Sequence, residues 1–275
     1  MKTANITLIV FSLIACNASK HLPKTIGDPQ SASSYGYQPI DPLPVSSFVD
    51  TNGQGVPVML NNNLKVSNQR MMASLPDETM RLAIGQVDGK GNVSFATAKL
   101  GYAGSSYIVI LDYIKFDTKS LPVLFHKDTL NQIIDFVTLF GYENKPDAII
   151  PVYVGVGLRF TATITVNEGS VDLGNLFALG LAAESKKVTG TLIIQTLGIS
   201  GKDISSLIPM PSQINTTTIQ NAIMSLAAIK SKIYEDDAEL NPRVVGFYNN
   251  IGGGQNTVQK FITNVLSEGI KHIIK

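Results

Sequence analysis

The sequence predicts an α+β fold, in which an antiparallel-rich mixed sheet packs with several helices. Two observations carry this prediction. Residues 149–166, IIPVYVGVGLRFTATITV, alternate between apolar and polar side chains over a length that suits one long, half-buried strand. The C-terminal third carries apolar residues at helical spacing instead, first over residues 215–233 and again after residue 256. No repeat of fixed period is present, so the sequence does not predict a repeat architecture.

Three further strands are predicted ahead of the long one, over residues 80–87, 92–100 and 106–116. The turn DGKG between the first two contains Asp88-Gly89, a strong hairpin signal. These segments are therefore expected to form a three-stranded antiparallel meander.

A helix is predicted over residues 128–140, because apolar residues recur there at helical spacing. Asp128 suits its N-cap and Gly141 suits its end. His126 lies just ahead of this helix, and a catalytic role with Asp128 is the alternative to capping by Asp128 beside a surface imidazole.

The remaining elements follow from shorter patterns. A short helix is expected over 173–183, a strand over 188–199 and another strand over 243–248. The strand at 188–199 could pair directly with the long strand or cross over it, and the sequence does not choose. The last helix is expected to open at Asn256, with Gln259 completing a capping-box variant.

The N-terminus has the features of an export signal. Lys2 precedes an apolar run of about ten residues, which as a helix covers roughly 15 Å, about half of a 30 Å hydrocarbon core. Such a run is too short to span a membrane and matches the apolar region of a signal peptide.

Leu13, Ile14, Ala15 and Cys16 resemble the lipobox of bacterial lipoproteins. The resemblance implies that residues 1–15 are removed, that the thiol of Cys16 receives a diacylglycerol, and that the new α-amino group receives an acyl chain such as palmitate. Asn17 after the cysteine resembles an outer-membrane rather than an inner-membrane address. The alternative is that Cys16 is an ordinary residue in a conventional signal peptide or an uncleaved anchor.

The predicted organisation is therefore a signal peptide at 1–15, the lipidated Cys16 with a flexible tether at 16–47, and a single α+β domain at 48–275. The tether prediction rests on its content of Pro, Ser and Gly without an apolar period. A subdivision of the domain near residue 145 is left open. In a eukaryotic secretory pathway, Asn92 and Asn215 would instead be glycosylation acceptors.

Charge and composition limit the function classes. Loss of Lys2 leaves 21 basic against 21 acidic residues and no basic block, so a nucleic-acid partner is not expected. The three histidines do not stand at metal spacing, and Cys16, consumed by lipid, supplies no thiol. No catalytic, cofactor-binding or metal-binding residue is predicted.

Three other motifs have non-catalytic interpretations. The segment GISGK lacks the glycine that a nucleophile elbow needs where Lys202 stands. The glycine run 252–254 has no phosphate-loop spacing and suits a flexible entry to a helix. Four acidic residues follow a helix C-terminus and suit a solvated loop, with weak calcium binding as the alternative: Glu235, Asp236, Asp237 and Glu239.

These observations favour a lipid-anchored bacterial envelope protein that acts as a non-catalytic binding, scaffold or assembly component. Its expected partners are the membrane, through the lipid anchor, and another envelope protein. Two alternatives stay open. One is a hydrolase of unrecognised type, and the other is a membrane-inserting β-hairpin built from residues 149–166 and 188–199.

Overall fold

The computed structural model of the 275-residue chain describes residues 36–51, 57–59, 66–95, 100–130, 132–138, 145–179, 185–235, 237–251, 255–267 and 269–274. Sixteen strands lie in the described residues: β1 (Tyr37–Pro44), β2 (Ser47–Thr51), β3 (Pro57–Met59), β4 (Asp77–Val87), β5 (Val93–Phe95), β6 (Leu100–Tyr102), β7 (Ser106–Lys127), β8 (Ile133–Thr138), β9 (Ala148–Val166), β10 (Ser170–Asp172), β11 (Val188–Leu197), β12 (Ile199–Ser200), β13 (Ser212–Gln213), β14 (Glu239–Leu240), β15 (Arg243–Tyr248) and β16 (Lys271–Ile274).

Five α-helices have both ends within the described ranges: α1 (Asn68–Ala73), α2 (Leu173–Leu179), α3 (Lys202–Leu207), α4 (Thr216–Lys232) and α5 (Gln255–Phe261). A π-helical turn, Ile262–Leu266, continues α5. The predicted α+β class with an antiparallel-rich mixed sheet is confirmed, although strands outweigh helices. Parallel pairing occurs where β16 joins β2 in a small three-stranded sheet.

The main sheet has nine strands, with the path β1-β15-β9-β7-β4-β5 and with β11, β13 and β8 attached to it. β7 and β9, which lie on either side of residue 145, pair antiparallel from Ser106 opposite Thr165 to Val123 opposite Ala148. The other edge of β9 is shared. β15 pairs with it as far as Gly155, and β11 pairs from Gly157 onward. β9 and β11 are thus directly antiparallel, which answers the question that the sequence left open.

The helix predicted over residues 128–140 is wrong. Ile133–Thr138 form β8, which pairs antiparallel with the end of β7. The Asp128 carboxylate accepts hydrogen bonds from the backbone N–H groups of Leu130 (2.9 Å) and Gln132 (2.8 Å), so it shapes a hairpin turn and caps no helix. A short apolar run fits both periodicities, and pairing with a 22-residue strand decides for β. Phe140 and Gly141 lie outside the described residues.

The predicted tether extends too far along the chain. Tyr37–Pro44 form β1, which pairs with β15 in the main sheet, and Tyr37 is only 4% exposed. Three prolines interrupt the apolar period of this segment, and for this reason its sequence predicts a linker. At the edge of a sheet, a strand tolerates proline because one of its sides needs no ladder hydrogen bonds.

The predicted meander is wrong in its order. The hairpin of β4 and β5 is present, with the Asp88 carboxylate accepting hydrogen bonds from the backbone of Lys90 and Asn92, both at 2.8 Å. β7, however, pairs with the other side of β4 and not with β5. The intervening β6 joins β10 in a separate pair.

The C-terminal predictions are largely confirmed. α4 begins after Asn215, whose side chain accepts a hydrogen bond from the Thr218 N–H in a capping box. α2, β11 and β15 also lie where they were predicted, and residues 180–183 lie outside the described residues. The predicted cap at Asn256 is wrong, because Gln255 is already helical and Gln259 donates to the side chain of Thr263.

Helices cover one face of the sheet. Alternate residues of β9, from Val156 to Val166, are buried in a core with residues of α2, α3 and α4. At the other end of β9, Phe136, Phe247 and Phe261 of α5 form a second core. The opposite face is called the inner face here, and its buried cluster comprises Tyr37, Ala83, Ile114, Phe116, Tyr153, Leu197 and Val245.

The sheet curls around the inner face. A Cβ atom on Gly157 would clash with the backbone carbonyl of Tyr113, and one on Gly155 would clash with that of Lys115. These glycines therefore allow β7 and β9 to approach closely where the partner of β9 changes. The curl brings β1 close to β4, so that Tyr37 and Ala83 line the same small cavity.

Candidate ligand-binding cleft

A buried ion pair crosses the inner face of the sheet. Asp112 of β7 and Arg159 of β9 are register partners. The guanidinium donates from Nε to Oδ1 at 2.7 Å and from Nη2 to Oδ2 at 2.6 Å. Asp112 is fully buried and Arg159 is 3% exposed. This bidentate geometry is the strongest form of such a pair, and it balances two charges that burial alone would strongly disfavour.

Further hydrogen bonds join this pair to the curled edge of the sheet. Tyr37 of β1 donates its hydroxyl proton to Asp112 Oδ2. The guanidinium also donates from Nη1 to the carbonyl of Ile40 at 2.5 Å and from Nη2 to that of Val245 at 2.9 Å. Four of its five N–H donors thus have partners on β1, β7 and β15.

The surroundings fix the protonation of this cluster. Burial raises the pKa of Tyr37 well above its usual value, and the neighbouring Asp112 charge raises it further. Burial lowers the pKa of Arg159, but its hydrogen bonds to Asp112 and the charge of that carboxylate more than offset this effect, and the net shift is upward. Near neutral pH the hydroxyl stays protonated and the cationic Arg159 balances the anionic Asp112.

Arg159 lines a cleft of about 800 Å³ that extends from the inner face to α5 and the π-helical turn. In the next row of the sheet, Thr161 lies between Ile110 of β7 and Ile193 of β11. Because strand residues two apart point to the same side, these side chains share the face of Arg159. The apolar part of the lining includes Val93, Phe95, Ile108, Ile110, Ile193 and Ile262.

Uncharged polar side chains complete the lining. Four of them are carboxamides, from β1, β11, α5 and the residue after β15, and the fifth is a hydroxyl: Gln38, Gln195, Gln259, Asn249 and Thr161. The Oδ1 atom of Asn249 is buried and has no hydrogen-bond partner among the described residues. A buried acceptor without a partner costs free energy.

The structure does not bring the sequence-predicted positions together into one site. Cys16 lies outside the described residues, as do His21, Asp236 and the glycine run 252–254. His126 is exposed at the end of β7. Glu235 is paired with Lys232 at 2.8 Å. Across the described part of the chain, no three or more His, Cys, Asp or Glu side chains are grouped to hold a metal ion.

One serine–histidine contact is not predicted from the sequence. Ser74 Oγ lies 2.9 Å from His272 Nε2 and donates to the carbonyl of Met71 at 2.7 Å, so the imidazole is the donor to Ser74. Both side chains are buried, at 1% and 0% exposure, and no substrate can reach them. Burial, followed by the charge of Lys119, lowers the pKa of His272 to about 4. This pair fastens the C-terminal strand β16 to α1 and is not an active site.

The strands of the proposed membrane-inserting hairpin are adjacent, since β9 and β11 pair directly. β9 also pairs along almost its whole length with β7, so release of the hairpin would break that ladder as well. Among the described residues, no helix has the length and apolar character needed to cross a membrane.

Comparisons with protein-family models, with curated proteins and with solved structures gave no match to this chain.

Proposed function

We propose that this protein is a lipid-anchored, non-catalytic binding component of the bacterial envelope, and that the cleft on the inner face holds its ligand. The cleft carries this proposal. Its volume of about 800 Å³ falls within the roughly 300–1,000 Å³ of small-molecule sites. Its lining combines apolar side chains with a few uncharged polar groups, as such sites do.

The ionisable groups of the cleft favour binding over catalysis. Among the described residues that line it, these are Asp41 and Arg159. The guanidinium of Arg159 is held by Asp112, and Asp41 is exposed. General acid–base catalysis needs a group that can exchange a proton near neutral pH, and the upward pKa shift of Arg159 works against such a role.

The proposed anchor explains how the cleft would be presented. Twenty residues lead from Cys16 to Gly36, where the described structure begins. A chain of that length reaches at most roughly 70 Å when fully extended. Two or three acyl chains on Cys16 would hold the protein firmly on a membrane, because each buried methylene contributes about 0.8 kcal/mol. Asn17 favours the outer membrane for this anchor.

Two measurements on the full chain test the two parts of this proposal. For the anchor, membrane fractionation and intact mass are compared between the wild type and Cys16→Ala. We expect acyl mass and membrane association in the wild type only. Wild-type protein without acyl mass, or a mature Cys16→Ala protein that still sediments with membranes, would refute the anchor.

For the cleft, the full chain in lipid nanodiscs is photolabelled with a small uncharged phenyldiazirine and the labels are mapped by peptide mass spectrometry. We expect labels on β7 and β11 that Ile193→Glu removes. Ile149→Glu is the matched control, because Ile149 is similarly exposed (54% against 43%) and does not line the cleft. Equal labelling of the two variants, or no label on these strands, would refute a ligand site in the cleft.

A further inference from the structure

The charge balance of the cleft restricts the charge that a ligand can carry. The buried guanidinium at its floor is already neutralised by two hydrogen bonds to Asp112. Arg81, the register partner of Asp112 on β4, lies over the ring of Tyr153 and does not line the cleft. An anionic ligand would find no uncompensated positive charge there, and a cationic one would find only the exposed Asp41. Because an unpaired charge is costly to bury, the cleft favours an uncharged ligand.

The apolar lining forms a strip along the inner face. Ile108 and Ile110 are two residues apart on β7, which spaces them by about 7 Å on one face. In register with Ile108 lie Gly85 of β4 and then Phe95 of β5. Because Gly85 has no side chain, Val93 and Phe95 occupy the space where a Cβ on Gly85 would lie, which brings both apolar side chains next to Ile108 along the strip. A single linear apolar chain suits such a strip.

The carboxamides supply the matching polar end. A carboxamide both donates and accepts hydrogen bonds without a charge, so it suits hydroxyl and amide groups. Asn249 Oδ1 is a buried acceptor without a partner among the described residues. The Nε2 group of Gln38 donates to the carbonyl of Pro39 at 3.2 Å, and no described residue donates to its Oε1. A head group with several O–H or N–H groups suits the accessible polar atoms of these carboxamides.

We propose that the cleft binds an uncharged single-chain amphiphile, whose chain lies along Ile108, Ile110 and Ile193 and whose hydroxyl or amide head group hydrogen-bonds with the carboxamide side chains that line the cleft, among them that of Asn249. This inference rests on the proposed function, and it specifies the ligand class of the same site.

The test uses a monoacylglycerol that carries a diazirine in its chain, with the full chain in lipid nanodiscs. Three unlabelled competitors have the same chain length and differ in charge: monolauroylglycerol, laurate and dodecylamine. We expect monolauroylglycerol to displace the probe from β7 and β11 at a concentration about ten-fold lower than either charged competitor, a difference of about 1.4 kcal/mol. Ile193→Glu should weaken labelling by the monoacylglycerol, whereas Ile193→Gln and Ile149→Glu should retain it.

The possible results separate this inference from the proposed function. Equal displacement by laurate or dodecylamine would overturn the uncharged ligand class while leaving a ligand site in place. Labelling of the cleft by the phenyldiazirine but not by the monoacylglycerol would also overturn the inference alone. Absence of any label on β7 and β11 with both probes would refute the site itself. Asn249→Leu should weaken monoacylglycerol labelling without changing phenyldiazirine labelling, and an unchanged monoacylglycerol signal would remove Asn249 from the head-group contact.

Discussion

Arg159 and Asp112 face each other across two long strands, and the carboxylate accepts hydrogen bonds from two nitrogens of the guanidinium at 2.6 and 2.7 Å. Tyr37 adds a third donor to the same carboxylate. This cluster ties the first strand of the sheet to its two central strands. The cluster also lies between the buried inner-face cluster and the cleft. The same residue pair therefore stabilises the fold and, through Arg159, lines the proposed binding site.

Removal of one partner of this pair should be strongly destabilising. We expect Asp112→Asn and Arg159→Met each to lower the free energy of unfolding by about 3–5 kcal/mol, because each leaves the other charge buried without compensation. The double variant Asp112→Leu with Arg159→Met should lose less than either single change. Urea unfolding measures these differences.

The control is the exposed pair of Lys232 and Glu235, whose side chains are 36% and 48% exposed. Neutralising either residue should change the free energy of unfolding far less than breaking the buried pair, because solvent screens exposed charges. Similar losses at the buried and the exposed pair would contradict the central position of the Arg159–Asp112 pair in the fold.

The close approach of β7 and β9 is the basis of a second prediction. Gly157→Ala should destabilise the fold by about 1–3 kcal/mol, because the added methyl group would meet the carbonyl of Tyr113 and force the strands apart. Gly89→Ala is the control, since a Cβ there has no neighbouring atom within 4 Å. Thermal unfolding of the two variants should differ clearly, and equal midpoints would mean that Gly157 is not needed for the curl.

A third prediction concerns pH. The pKa of His272 is lowered to about 4 in the folded protein from an ordinary 6.5, with burial as the main cause and Lys119 adding to it against Asp117. Between these values the unfolded chain binds the proton more readily, so stability present above pH 6.5 is lost as the pH falls towards 4. The total loss should be about 3 kcal/mol.

His272→Gln should flatten this dependence while keeping a donor for Ser74. His126→Gln, at an exposed position, is the control for the substitution itself. The free energy of unfolding by urea, measured at several pH values from 7 down to 4, decides the point. The same slope in the wild type and in His272→Gln would show that His272 does not control it.

The fourth prediction distinguishes two helix starts. Asn215→Ala should cost about 1 kcal/mol, because its side chain accepts the hydrogen bond from Thr218 at the start of α4. Asn256→Ala should be neutral or slightly stabilising, because Asn256 lies inside α5 and is exposed, where alanine is the better helix former. Chemical denaturation measures the free energy of unfolding of both variants. A larger loss of stability in Asn256→Ala than in Asn215→Ala would show that Asn256 is a helix cap.

The long strand could be predicted because its apolar and polar faces alternate without a break over residues 152–166, whereas β8 could not, since a mainly apolar segment of six residues fits helix and strand alike. Pairing with β7 is a long-range contact that local periodicity does not record. β1 was missed for a related reason. Its prolines look like those of a linker until β15 lies beside it.

The candidate site was less predictable than the fold. The sequence contains a signal for this pair, since Arg159 is the one charged residue in the predicted strand 149–166 and Asp112 is the one acidic residue in the mainly apolar segment SYIVILDYIKF. A lone acid in one predicted strand and a lone base in another suggest a pair, but only the register places them opposite each other. The cleft lies on a curled sheet, and local periodicity does not record the close approach of β7 and β9 that their glycines allow.

The most direct test of a ligand site on the inner face is the map of photolabels on the full chain. With the phenyldiazirine in lipid nanodiscs, we expect labelled peptides from β7 and β11 in the wild type and in Ile149→Glu, and loss of those labels in Ile193→Glu. Labels that avoid these strands in the wild type, or that persist in Ile193→Glu, would contradict the assignment of the cleft as the binding site.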